Sequence, residues 1–186
     1  MQRFKYRMEE NSDEGIVIVG IAEDNNVIAK LSVHFCETKT CLLPDDELEK
    51  LANTNAEAAV NVESAEFFSD VLRMECLYIA ENCRNAGVGT FLLKKSQKYA
   101  DLRKFPLVVS VFPLARGLTG KPYKKNSPSQ QEIRRLFWFF QKNGFKNRAI
   151  EYAMKKHIKL PEWFYGKPRD FYYIPESLKK KGEGNA

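Results

Sequence analysis

Residues Val71–Phe112 run strand, glycine turn, helix, strand, and that order constrains the chain more than any other feature of it. Val71–Ala80 (VLRMECLYIA) is apolar enough for a central strand. Glu81–Gly89 supplies the turn, with Arg84, Gly87 and Gly89. The stretch Thr90–Arg103 predicts a helix whose Phe91, Leu92, Lys95 stem, Tyr99 and Leu102 form one apolar stripe. Leu107–Phe112 (LVVSVF) follows as a buried strand. Parallel strands need a crossover of this kind, and their sheet needs helical cover. The fold class is therefore α/β.

The flanking segments fill out one domain. Gln2–Met8 alternates Phe4, Tyr6 and Met8 with Arg3, Lys5 and Arg7, the period of a half-buried strand. Gly15–Ala22 and Val27–Phe35 are strand-like on either side of Glu23-Asp24-Asn25-Asn26, which predicts an antiparallel meander of three strands. Pro44-Asp45-Asp46 reads as a helix start, Asn53–Asn61 as a loop, and Glu63–Phe68 as a short helix or irregular lead-in. Pro113–Ser129 is a long polar stretch holding Arg116, Lys121, Lys124 and Lys125. Ser129 and Glu132 form a capping box for a helix that Gly144 stops. Ile150–Met154 and Phe171–Ile174 read as the last strands. No repeat or linker stands out, so residues 1–178 are expected to form a single domain and 179–186 a flexible tail.

Composition removes several classes. At 186 residues, 44% hydrophobic and 12% aromatic, the chain is neither disordered nor fibrous. It contains no run of 18 apolar residues, and its first ten residues mix charge with bulk, so a cytoplasmic protein without a membrane segment is expected. Four cysteines, Cys36, Cys41, Cys76 and Cys83, are too few and too irregular for a disulfide framework. A four-cysteine zinc site would need Cys76 drawn out of a strong strand, and His34 and His157 have no metal-spaced neighbours, so no metal is expected. Net charge divides unevenly: residues 1–75 hold 7 Lys/Arg against 16 Asp/Glu, and residues 76–186 hold 23 against 8. A basic second half suits an anionic ligand, whether nucleic acid, phosphates or an acidic protein face; acidic and basic halves lying side by side explain it equally.

Chemistry concentrates in Leu77–Leu93. A strand ends, a turn with two glycines follows, and a helix begins. The first N–H groups of a helix have no internal partners and lie at the positive end of its dipole. Glycines let that main chain approach a phosphate closely. Lys94, Lys95 and Lys98 would add attraction, though a solvated helix face also explains them. Neither GVGTFL nor GLTGKP supplies the Walker spacing, and the third glycine of a dinucleotide fingerprint is replaced by Leu92.

The run Arg84-Asn85-Ala86-Gly87-Val88-Gly89-Thr90 resembles the Arg/Gln-x-x-Gly-x-Gly/Ala signature of the GNAT superfamily of N-acetyltransferases. Leu136–Phe145 is similar to that family's second signature, a helix with an aromatic followed by Gly-Phe. The resemblance covers about residues 70–154. It implies a mixed, mostly antiparallel sheet splayed at its centre, with helices on both faces. It implies that the amides of Arg84, Asn85, Ala86, Gly87, Val88, Gly89 and Thr90 bind the pyrophosphate of acetyl-coenzyme A. The pantetheine would lie along Leu77, Tyr78 and Ile79, with a backbone N–H near Ile79 stabilising the thioester oxyanion. An amine on a small molecule, a protein or an aminoacyl-tRNA would be the acceptor.

Two departures bear on catalysis. The family's acid is commonly a Tyr four residues before the Gly of Gly-Phe, and that position, within the cofactor-binding set, is Phe140. Phe140 has no hydroxyl, so Tyr123, Tyr152, water or no acid at all must serve. The family's usual pair of acceptor-side helices has no room between the first two strands; Asp45–Phe68 is the segment available instead. Glu75 shares strand parity with Leu77 and Ile79 and is the candidate base, or else a surface carboxylate paired with Arg73. The alternative function is a coenzyme A-binding or nucleic-acid-binding module that has lost catalysis.

Overall fold

Period-2 alternation builds the first half of the sheet in the computed structural model, which describes residues 4–11, 15–22, 26–36, 40–41, 67–68, 70–111, 128–166 and 168–179. Strands β1 (Phe4–Asn11), β2 (Gly15–Ala22) and β3 (Val27–Cys36) form the expected antiparallel meander, with Asn11 opposite Gly15 and Gly15 opposite His34. Alternate residues Ile16, Ile18, Leu31 and Val33 are almost wholly buried on one face. A two-residue pair, β4 (Thr40–Cys41) with β5 (Phe67–Phe68), stands apart from the main sheet. The main sheet continues with β6 (Val71–Ile79), β7 (Leu107–Val111) and β8 (Arg169–Tyr173), in the order β1-β2-β3-β6-β7-β8. Only the β6–β7 pairing is parallel among these six; the sheet is mostly antiparallel, as expected.

Helix α1 (Val88–Arg103) makes the crossover from β6 to β7. Helix α2 (Gln130–Lys142) begins at Ser129, whose Oγ accepts from the Glu132 N–H while Glu132 Oε2 accepts from the Ser129 N–H at 2.9 Å. Leu92, Leu93 and Ala100 of α1 and Ile133, Phe137 and Phe140 of α2 join one core cluster with Leu31, Leu72, Leu107, Val109 and Phe171 of the sheet. The other sheet face carries a smaller cluster, Val71, Val108 and Tyr172. Asp45–Phe68, the segment available in place of acceptor-side helices, lies outside the described residues except for Phe67 and Phe68, as do residues 112–127 and 180–186.

Two local expectations are corrected. Ile150–Met154 is not a strand but part of helix α3 (Arg148–Lys155). Asn147 caps it by accepting from the Ile150 N–H at 3.0 Å, and Ala149, Ile150 and Ala153 are buried at helical spacing. Leu102 does not belong to the apolar stripe of α1; it is 72% exposed. The stripe follows Gly89, Leu92, Leu93, Ser96 and Ala100 instead, because a 3.6-residue period carries position 102 round to the solvent side. A last helix, α4, spans Glu176–Lys179. No helix of the described residues is long and apolar enough to cross a membrane.

β8 is tied to α1 through Tyr173, whose hydroxyl donates to Asp101 Oδ1 at 3.0 Å. Burial, and then this bond, push the Tyr173 phenol up to about 12 from an ordinary value of 10.0. Folding thus favours the neutral phenol. Its contribution is whole below pH 10 and is lost as pH rises towards 12, because the unfolded chain ionises first. The urea midpoint should fall between pH 9.5 and about 11.5, and Tyr173→Phe should flatten that fall. An unchanged slope in the variant would remove Tyr173 from the effect.

Candidate functional site

The sheet opens where β6 outruns its parallel partner. Leu72, Arg73 and Met74 pair with Leu107, Val108 and Val109, and there the β6–β7 ladder stops. β7 continues through Ser110 and Val111, but these pair only with Asp170 and Arg169 on β8. Residues Cys76–Ile79 consequently pair with β3 on one side and, among the described residues, present their other edge to a gap. The Ala80 N–H donates to Ile28 O at 2.8 Å on the β3 side. Backbone N–H groups alternate in direction along a strand, so the Ile79 N–H points the opposite way, into the gap.

A bulge sets the side chains around that gap. Ser32 pairs with Cys76 and Val33 with Met74, which leaves Glu75 as the extra residue of β6. Leu72 and Met74 face the core before the bulge, and Leu77 and Ile79 pack against the same core after it. The parity expected to join Glu75 to Leu77 and Ile79 is thereby interrupted. The Glu75 side chain is 62% exposed and lies 3.5 Å, Oε1 to Nδ1, from His34 rather than against Arg73. The shift of large apolar residues from positions 72 and 74 to 77 and 79 was the sequence signal for this bulge. Tyr78 is half-buried on the alternate face from Leu77 and Ile79.

After β6, Glu81–Cys83 form one 3-10 turn, and Gly87 caps α1 with φ +83° and no side-chain cap bond. Arg84 folds back, its Nε donating to Ile79 O at 3.3 Å, and so ties the turn to the strand end. Asn85 has φ +64°, and beyond it the first bond back into α1 is Phe91 N–H to Gly87 O. No backbone acceptor outside the helix engages the N–H groups of Asn85, Ala86, Gly87, Val88, Gly89 or Thr90 among the described residues. Asn85, Ala86 and Gly87 are exposed, Val88 and Gly89 buried, Thr90 half-buried. A Cβ on Gly87 would meet nothing within 4 Å among the described residues, so this turn is open to solvent at Gly87. Gly89 is different: a Cβ there would stand 2.7 Å from Ile79 Cδ1 and 3.0 Å from the Phe139 ring. Its lack of a side chain lets α1 close onto the end of β6 and onto α2.

Phe139, which the sequence did not single out, is therefore the α2 residue over the turn. Phe140, the residue at the position of the family's Tyr, is 3% exposed and packs on Phe145 at 5.4 Å and Phe171 at 6.0 Å in the aromatic core. Of the substitute donors, Tyr123 lies outside the described residues, and the Tyr152 hydroxyl is buried on α3 without a hydrogen-bond partner among the described residues. Lys95 is engaged elsewhere, its Nζ donating to the Tyr6 hydroxyl at 3.1 Å on β1; Lys94 and Lys98 remain exposed on α1. Among the described residues no three His, Cys, Asp or Glu side chains gather to hold a metal ion.

No family model and no curated protein matches the sequence. Solved structures do. The N-acetyltransferase YlbP of Bacillus subtilis in complex with coenzyme A shares 12% identity over 86% of this chain and 68% of its own, with a TM-score of 0.44. AtaT complexed with acetyl-methionyl-tRNAfMet shares 7% identity over 96% and 99%, with a TM-score of 0.49. The loading GNATL domain of CurA from Lyngbya majuscula shares 15% identity over 85% and 75%, with a TM-score of 0.42.

Proposed function

We propose that this chain is a GNAT-type N-acetyltransferase that binds acetyl-coenzyme A at the Arg84–Thr90 turn and transfers its acetyl group to a primary amine. One observation carries the proposal: a row of amides without backbone acceptors among the described residues, Asn85 to Thr90, opens beside the gap that the Ile79 N–H enters. A pyrophosphate fits that row, because the donors are main-chain, converge at a helix N-terminus and have open space before Gly87. Acetyl-coenzyme A supplies the activated acyl group when bound. Leu77, Tyr78 and Ile79 form the strand edge along which its pantetheine arm would lie, and the Ile79 N–H would stabilise the negative charge that grows on the carbonyl oxygen.

The acceptor nitrogen attacks the carbonyl carbon, the C–S bond breaks, and the amine loses a proton as the amide forms. Glu75, the first β6 residue beyond the parallel ladder, with His34 at its side, is the proposed acceptor of that proton. Phe140 cannot protonate the departing sulfur, so the thiolate leaves as such or takes its proton from water. The acceptor is a small-molecule, protein or aminoacyl-tRNA amine.

Release of free thiol from acetyl-coenzyme A in the presence of an amine panel tests the assignment. Glu75→Gln should lower kcat by about tenfold or more with coenzyme affinity unchanged, in the range typical of a general base. Turnover equal to wild type removes Glu75 from the reaction. The missing hydroxyl at Phe140 favours a second reading, a coenzyme-binding module without turnover, for which saturable coenzyme binding and no thiol release with any acceptor is the signature.

A further inference from the structure

The solvent face of α2 does not look like an ordinary solvated helix face. Between Ser129 and Gly166 the chain holds eight Lys/Arg (Arg134, Arg135, Lys142, Lys146, Arg148, Lys155, Lys156, Lys159) and three carboxylates. The carboxylate on α2, Glu132, is engaged in the capping box, and Glu151 binds Lys146 at 3.0 Å and the Tyr172 hydroxyl at 3.0 Å. The third, Glu162, lies off the helix on the segment before β8; the outward stripe of α2 itself is Arg134, Arg135, Trp138 and Lys142, without an acidic residue among them. Exposed helix faces usually mix signs at i, i+4 spacing.

Aromatic surface lies between these cations. Trp138 is 60% exposed, while its neighbours Phe137 and Phe140 are buried. Lys142 Nζ stands 4.9 Å from the Trp138 ring centre, and the Arg134 guanidinium 4.4 Å from that of Tyr165. A ring flanked by cations at this spacing offers a stacking plane for a base and a neighbouring charge for its phosphate. We infer that this face binds single-stranded nucleic acid, with Trp138 as the stacking platform and Arg134, Arg135 and Lys142 on the backbone. A duplex would not fit it, since stacked pairs offer no free base to an exposed indole. The inference does not depend on acetyl transfer.

Fluorescence anisotropy of the full chain with labelled 12-nucleotide single strands of RNA and of DNA, without acetyl-coenzyme A, tests it. Binding should weaken about eighteenfold between 50 and 200 mM salt, the slope for three phosphate contacts on a single strand. Trp138→Ala should cost about tenfold on both strands and leave heparin, a polyanion without bases, unaffected; Trp138→Phe should recover most of the loss. Arg135→Glu should weaken strands and heparin together and flatten the salt slope. Absence of saturable binding at 50 mM salt overturns the inference, and so does Trp138→Ala binding as wild type. A duplex that binds as tightly as the single strands overturns it as well. Whichever source binds tighter, RNA or DNA, names the ligand, and coenzyme binding, read separately by thermal shift, is expected to persist in all three variants.

Discussion

Gly87→Trp is expected to abolish the thermal shift that the proposed binding of acetyl-coenzyme A predicts for the wild-type chain. At 100 times its dissociation constant a ligand that binds only the folded state stabilises by about 2.7 kcal/mol, which for a chain of this size raises Tm by about 5–10 °C. The indole would fill the open space at Gly87 and exclude the pyrophosphate. Gly87 has φ +83°, so any side chain there also costs about 1–2 kcal/mol in backbone strain. Gly87→Ala carries that strain without the bulk and should unfold earlier yet keep most of the shift. A Gly87→Trp variant that still gains several degrees with the coenzyme would place the pyrophosphate elsewhere.

Phe137→Ala is expected to be the most destabilising single truncation in α2. Phe137 is 2% exposed and packs on Phe171 at 5.2 Å, Tyr165 at 5.9 Å and Phe164 at 6.1 Å, where α2 meets the sheet and the segment before β8. Removing the ring should cost about 3–5 kcal/mol, a large fraction of the roughly 5–15 kcal/mol that holds a domain folded. Tm should drop by about 10 °C or more. The next residue gives the contrast, since Trp138→Ala removes a larger ring from solvent and should change stability by about 0.5 kcal/mol or less. Equal losses at the two positions would mean that α2 packs with another face inward.

Much of this was legible in the residues. The strand, glycine turn, helix and strand of Val71–Val111 stand as read, because each boundary is a local chemical event: two glycines at a turn, a helix opening without a cap side chain, β-branched residues after it. The Ser129–Glu132 capping box and the stop at Gly144 are likewise chemistry within a few residues. The meander of β1 to β3 followed from alternation. The error at Ile150–Met154 came from a short apolar run, whose two possible periods are distinguished by its cap, Asn147, and by what it packs on.

Other features lie beyond any local pattern. The residue code cannot say that Lys95 reaches Tyr6, 89 positions away, or that Phe139 rather than Phe140 rests over Gly89, since both depend on how helices are set down on the sheet. The length of the gap is of the same kind: it opens because β7 stays paired with β8 beyond Val109 while β6 keeps to β3. The amide row was therefore written in Asn85–Thr90 from the start, as intrinsic backbone chemistry, while the Arg84 N–H is taken by Glu81 O. That, among the described residues, those amides stay unclaimed beside an unpaired strand edge was decided by packing, which alone brings the ends of distant strands and helices to one place.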